Sequence, residues 1–291
     1  MDQYVILKRY LKVFGLLKKD NVLLSFLILY NTIGVMIMFI DTHCHLSLED
    51  YDDIDTVIKE NKEAGIDKII ISGCTKDSII ESIELSKKYK DVYLTIGYHP
   101  SEADDISMED LMLLEKQLLE DKVVGIGEIG LDYHYGKDNI DKQKELFRKQ
   151  LELAEKYNLP VVIHSRDATN DTINILKEFP NVIGDIHCFS GSLETAKIYI
   201  SMGYYLGIGG VVTFKNSNLY NVIRNIGLER VLLETDSPYL APEPNRGKKN
   251  SSKYIPYIAK FLANLLGISV EEVSKITLNN TYRLFDLNGK L

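Results

Sequence analysis

Phe39-Ile40-Asp41-Thr42-His43-Cys44-His45 decides how this 291-residue chain is read. An apolar run delivers two histidines spaced i, i+2. In a strand that spacing puts both imidazoles on one face, where they can grip a single divalent cation. A lone His-x-His pair is weak evidence for a metal, because two histidines fall this close by chance in many chains. The reading turns on whether further ligands arrive at equivalent places.

Working outward from that strand, apolar β-branched runs bounded by turns recur at residues 37–42, 68–73, 92–97, 123–128, 161–164, 183–187, 204–208 and 231–236. Helical periodicity fills most of the gaps. Between Asp138 and Asn158, for instance, Ile140, Phe147, Leu151 and Ala154 recur at helix spacing while Glu145, Arg148, Lys149 and Glu152 face outward. Strands apolar on both faces and separated by helices belong to parallel sheets. Eight such units in roughly 250 residues predict an α/β fold, a closed (β/α)8 TIM barrel, with a doubly wound open sheet as the competing architecture.

On that scaffold His43 and His45 end strand one, Glu128 strand four, His164 strand five, His187 strand six and Asp236 strand eight. In a barrel those ends converge on one mouth, where active sites of this fold are built. A single histidine there reads most simply as a satisfied polar residue. Six ionisable groups together do not, because burying that many uncompensated polar groups is costly. Six nitrogen and carboxylate donors also exceed the three protein ligands of one catalytic zinc, and a central Glu128 is placed to bridge two ions. Two ions suit hydrolysis of a phosphate ester, and the same apparatus serves carbon–nitrogen bonds. Spacing does not choose between them.

The strings DTHCHL (41–46), GYHP (97–100), GEIGLDY (127–133), HSRDA (164–168), HCFSG (187–191), ETDSPYLAP (234–242) and RGKKN (246–250) make the chain resemble the TatD-type metal-dependent deoxyribonucleases of the amidohydrolase superfamily. They occur in the family's order and cover nearly everything after Met38. The resemblance implies a metal-dependent deoxyribonuclease, an exonuclease acting on single-stranded or frayed DNA ends. It assigns His43, His45, Glu128 and Asp236 to one ion and Glu128, His164 and His187 to the other, with Asp236 accepting a proton from the attacking water. Position 47 is Ser where many relatives carry Asp or Asn, a departure that touches loop chemistry and not the ligands. The alternative function is a metal-dependent hydrolase of a small phosphoester, amide or lactone.

His99, in the GYHP string, contacts substrate phosphate or a ligand on one reading and closes a turn before Pro100 on the other. Arg166, two residues beyond His164, clamps a phosphate or pairs with Asp167 or another carboxylate. Gly125, Gly127 and Gly130 spell G-x-G-x-x-G, yet residues 131–136 read as a loop and the helix starts only near Asp138. Without a helix opening in the glycine turn, a nicotinamide or other dinucleotide cofactor is not expected. His134 reads as a solvent or groove residue, and Arg246, Lys248 and Lys249 as a basic loop that is either solvated or meets a nucleic-acid backbone. Ser269 with Glu272 forms a capping box for a helix from Val270 to about Leu278.

A formal net charge of −8 and a pI near 5.4 argue against coating a duplex through a basic surface. Bound cations supply the local positive charge for one or two phosphates instead. The metal identity stays open among Mg²⁺, Mn²⁺ and Zn²⁺, since imidazoles and carboxylates suit different ions. Cys44, Cys74 and Cys188 are odd in number and lack C-x-x-C spacing, so a disulfide framework is not expected and a reducing, cytoplasmic setting is. At the N-terminus, Val22 to Ile40 carries no charge and approaches the length of a membrane span. Its last residues are needed as a barrel strand, and a strand cannot also cross lipid. Residues 1–37 are therefore read as an extension outside a single barrel domain of 38–291, with a membrane anchor and a signal-like leader as the competing readings.

Overall fold

The computed structural model describes residues 37–134, 136 and 138–287. The expectation for the N-terminal extension therefore falls almost entirely outside the described residues. Among them, no helix is long and apolar enough to cross a membrane. Met38–Leu291 is one compact unit.

Eight parallel strands form one sheet in sequence order: β1 (Phe39–Cys44), β2 (Ile66–Gly73), β3 (Val92–Ile96), β4 (Val123–Asp132), β5 (Val161–Arg166), β6 (Gly184–Ile186), β7 (Tyr205–Ile208) and β8 (Val231–Leu233). A parallel bridge between Cys44 and Ser237 joins the first strand to the segment beyond the last. Helices intervene, as the right-handed crossovers of parallel strands require. The barrel is the expected one, and the open sheet is excluded by that closure.

The inner face changes character along the strands. Ile40, Ile70, Tyr93, Val124, Val162, Tyr205 and Leu232, one from every strand but β6, pack with Leu284, Phe285 and Leu287 from the end of the chain. This apolar floor closes the N-terminal end of the barrel. Two residues further along, in the same alternation, come Thr42, Ser72, Thr95, His164 and Gly207 and, just past β8, Glu234, with Ile126 of β4 the apolar exception. The interior thus turns polar within one step of the pleat.

Several boundaries differ from those read in the sequence. β4 does not end at Glu128 but runs to Asp132, because Gly130, Leu131 and Asp132 continue the ladder against His164, Ser165 and Arg166 of β5. Residues 131 and 132, expected in a loop, therefore lie in the strand. Gly130 permits this approach: at φ +141° a side chain there would place its Cβ 2.0 Å from the His164 carbonyl oxygen. β8 stops at Leu233, three residues before Asp236. The helix after β4 opens only at Ile140, so the glycine string meets no helix N-terminus, as expected. The C-terminal helix, capped by Ser269 accepting from the Glu272 N–H, reaches Leu284 and not Leu278, because its last turn supplies the floor.

Candidate metal centre

Two of the strands that carry expected ligands are irregular beside them. The β1–β2 register shifts between Asp41 and Cys44, and the β4–β5 register between Ile126 and Ile129. Such bulges re-aim the residues beside them. Here they turn His43, His45 and Glu128 into the mouth together. The main chain beyond β8 is then tied to β1: Asp236 N–H donates to the His43 carbonyl at 3.0 Å and His45 N–H to the Ser237 carbonyl at 2.7 Å. Asp41, fully buried, accepts from Thr235 N at 3.0 Å and Thr235 Oγ1 at 2.6 Å.

All six residues expected as ligands converge. Glu128 is at the centre, with its two oxygens facing different partners. Oε2 lies 3.5 Å from His43 Nε2 and 3.8 Å from His45 Nε2. Oε1 lies 2.7 Å from His164 Nδ1 and 3.6 Å from His187 Nε2. Asp236 Oδ1 completes the first group, 3.5 Å from His45 Nε2 and 3.8 Å from His43 Nε2. It also lies 3.9 Å from His187 Nε2. A tetrahedral ion bound at about 2.1 Å holds its donors about 3.4 Å apart, close to all of these spacings except that of His164 and Glu128, which are hydrogen-bonded directly.

The chemistry of the donors supports the same fit. His43 and His45 aim their Nε2 atoms at each other across 3.3 Å, a contact that needs a proton or a cation between two lone pairs. His43 is fully buried, and burial together with neighbouring His187 holds it well below the usual imidazole range. Burial would likewise lower the other ligand imidazoles, yet Glu234, Glu128 and Asp236 lift His187 to about 10. Asp132 and Glu128 lift His164 to about 9. Asp236 and Cys74 raise His45. Burial would raise Glu128, but His187, His164 and His43 hold it well below the usual carboxylate range. The carboxylates around His45, His164 and His187 thus oppose desolvation of positive charge, a negative field that a cation would also answer.

Further groups orient these ligands from behind, and the sequence reading missed them. His187 Nδ1 is 3.3 Å from the fully buried Glu234 carboxylate, which also accepts from Cys188 N–H at 2.7 Å. His164 Nε2 is 3.1 Å from Asp132 Oδ2, and His45 Nδ1 is 3.2 Å from the Ser72 carbonyl. Helix Ile140–Tyr157 holds two of the site segments through side chains one heptad apart. Gln143 receives Asp132 N–H at 2.9 Å and donates to its carbonyl at 2.9 Å. Gln150 does the same for Tyr98, at 2.7 and 3.0 Å. Asp185 sits beside Glu234, fully buried, and burial together with the Glu234 charge raises its carboxyl well above the usual range. A signal was present: an acidic residue inside an apolar strand needs a partner.

His99 closes the turn and also stands beside the cluster. Its Nδ1 accepts from Ser101 N–H at 3.1 Å, closing the turn, while Nε2 stands 3.9 Å from Glu128 Oε1. Burial lowers it to about 4, so the ring is neutral, and with Nδ1 accepting, the proton sits on Nε2 and points inward. Arg166 is exposed at the end of β5. Asp167 pairs with His134 at 3.1 Å, and the Arg166 charge helps lower Asp132. The basic loop is engaged locally: Arg246 stacks on Phe214 with its guanidinium carbon 4.3 Å from the ring centre, and Lys249 donates to the Asp50 carbonyl. All three cysteines are free, and Cys44 packs beneath the site with its thiol on the Ile70 carbonyl.

Residues 40–286 match the family described as TatD related DNase. The chain is 44% identical over 255 residues to the uncharacterized metal-dependent hydrolase YabD of Bacillus subtilis, covering 86% of this chain and 100% of that protein. It is 35% identical over 258 residues to the uncharacterized metal-dependent hydrolase YcfH of Escherichia coli, covering 86% and 96%. Among solved structures, the TatD homologue YjjV of Escherichia coli superposes with a TM-score of 0.80 at 32% identity, covering 87% of this chain and 99% of that one. The chain belongs to the TatD related DNase family of metal-dependent hydrolases.

Proposed function

We propose that the chain hydrolyses phosphodiester bonds at single-stranded or frayed DNA ends, in a centre holding two divalent ions. The observation that carries this reading is the division of Glu128, one oxygen toward His43 and His45 and the other toward His164 and His187. His43, His45, Glu128 and Asp236 would hold one ion, and Glu128, His164 and His187 the other. Bound there, Mg²⁺, Mn²⁺ or Zn²⁺ supplies Lewis acidity that acidifies water and offsets charge on the attacking and leaving oxygens.

The chain's own residues have distinct parts. The Asp236 side chain is 15% exposed where that of Glu128 is 5%, so Asp236 is the more accessible carboxylate and takes the proton of the attacking water. Glu128 stays ionised and bridges. His99 donates from Nε2 to a non-bridging phosphate oxygen, and Arg166 at the rim clamps a phosphate through its planar fork. A net charge of −8 makes the grip on DNA local and salt-sensitive, confined to a few phosphates. The three free thiols fit a reducing compartment, and the proposed place of action is the cytoplasm.

The test is cleavage of end-labelled single-stranded DNA with Mg²⁺, Mn²⁺ or Zn²⁺. Shortening from an end, lost in His164→Ala, is the expected result. Inertness toward DNA with every metal, together with turnover of a small phosphoester, amide or lactone, would replace the nuclease reading with the small-molecule one.

A further inference from the structure

Tyr239 is the most exposed aromatic side chain among the described residues, at 59%. A single exposed ring is ordinary on a protein surface. This one differs in how its backbone is held and in what stands beside it. Its N–H donates to the Asp236 carbonyl at 2.9 Å, and its carbonyl accepts from Asn250 Nδ2 at 2.6 Å. Asn250 is itself fully buried and also binds the carbonyls of Thr235 and Pro238. The ring's anchor is thus rigid while its surface is open. Its centre lies 6.4 Å from that of His45, at an interplanar angle of 65°.

We infer that Tyr239 is a nucleobase-stacking subsite, receiving the base of the nucleotide next to the phosphate held over His45 and Asp236. This rests on the nuclease reading above. An aromatic face binds any base, because every base offers a π-surface, and a rigid ring loses little entropy in doing so. The sheet order sets the direction of the strand. Tyr239 follows β8, adjacent to β1, whereas Arg166 ends β5, on the far side of the mouth. A single strand crossing the centre therefore meets an aromatic ring on one side and a guanidinium on the other. An end-directed enzyme needs such an asymmetry, because a terminal nucleotide offers a base on one side of the scissile phosphate and chain on the other.

The experiment uses wild-type protein, Tyr239→Ala and Tyr239→Phe with three single-stranded oligonucleotides: unmodified, abasic at the nucleotide beside the cleaved bond, and carrying 2-aminopurine there. The expected result is a roughly tenfold rise in KM for Tyr239→Ala on unmodified DNA, with kcat within about twofold and bound metal unchanged. Tyr239→Phe behaves as wild type, the abasic strand costs wild type the same roughly tenfold and Tyr239→Ala nothing further, and 2-aminopurine is quenched on binding by all but the alanine variant. An unchanged KM, an equal loss on abasic and unmodified strands, or a loss of metal in Tyr239→Ala overturns the subsite while leaving the nuclease reading in place. Quenching by wild type without cleavage sustains the stack and defeats the nuclease. Neither quenching nor cleavage overturns both.

Discussion

The two halves of the proposed metal centre are held in different ways. On the β5–β6 side, each imidazole leans on a carboxylate: His164 on Asp132 and His187 on Glu234. On the β1–β8 side, His45 leans on a backbone carbonyl, and His43 Nδ1 is buried with no partner. That half is positioned instead by main-chain bonds between His43, Asp236 and Ser237, and by Asp41 gripping Thr235. A carboxylate behind an imidazole fixes its tautomer and raises its basicity, so the β5–β6 half is expected to hold its ion more firmly. The β1–β8 half, shaped by backbone and next to the more open Asp236, is expected to exchange its ion first.

The largest effect should come from the one residue common to both halves. Glu128→Gln removes the shared charge and should lower turnover by roughly 10³-fold or more. Elemental analysis should find less than one tightly bound ion per chain. If one half keeps its full affinity, Glu128 does not bridge.

Next in size are the supporting carboxylates. Glu234→Gln and Asp132→Asn should each weaken binding in the β5–β6 half by about 10- to 100-fold while leaving the other half within a few-fold. Chelator titration of the wild type should release metal in two steps, and in either variant the steps should merge or exchange order. Single-step release in the wild type would remove the distinction between the halves.

The same contrast explains what could be read in advance. On β5 the alternation is regular, so Val162 on the floor implies His164 in the mouth. On β1 and β4 it is not: counting from Ile40 in the floor, strict alternation sends His43 outward, and the register shift between Asp41 and Cys44 brings it in. His43 and His45 are legible through their spacing and the motif around them. The apolar run implies a strand end at Glu128, whereas the ladder continues through Gly130 to Asp132. Asp132, Glu234, Gln143 and Gln150 stayed invisible as site residues because their partners lie at long range. Gln143 and Asp132 are 11 residues apart, Gln150 and Tyr98 are 52 apart, and Glu234 and His187 are 47 apart. No local pattern pairs such residues.

A smaller effect tests the backbone-held half directly. Thr235→Val keeps the shape but removes the hydroxyl that bonds Asp41 Oδ2 at 2.6 Å and receives Ser237 N–H at 3.2 Å. Two buried polar groups then lose a partner, a cost of about 1–3 kcal/mol in unfolding free energy. Because Asp236 N–H still holds the His43 carbonyl, turnover should fall by roughly tenfold or less. The first step of metal release should move to lower chelator concentration while the second stays. Movement of the second step alone would show that the clamp serves the wrong half.

The smallest effect belongs to the floor, which should be mechanically separate from both halves. Tyr93 donates its hydroxyl to the Leu287 carbonyl at 2.6 Å, tying the end of the chain across the base of the barrel. Tyr93→Phe removes one net hydrogen bond, worth about 1 kcal/mol, and for a domain of this size should lower Tm by roughly 2–4 °C. The ring itself stays packed among Ile70, Val124 and Phe285, so the strands above it should keep their places. Metal content and turnover should match wild type within error. If either release step shifts in this variant, the floor and the mouth are coupled through the strands, and differences between the two halves can no longer be assigned to the groups behind their imidazoles alone.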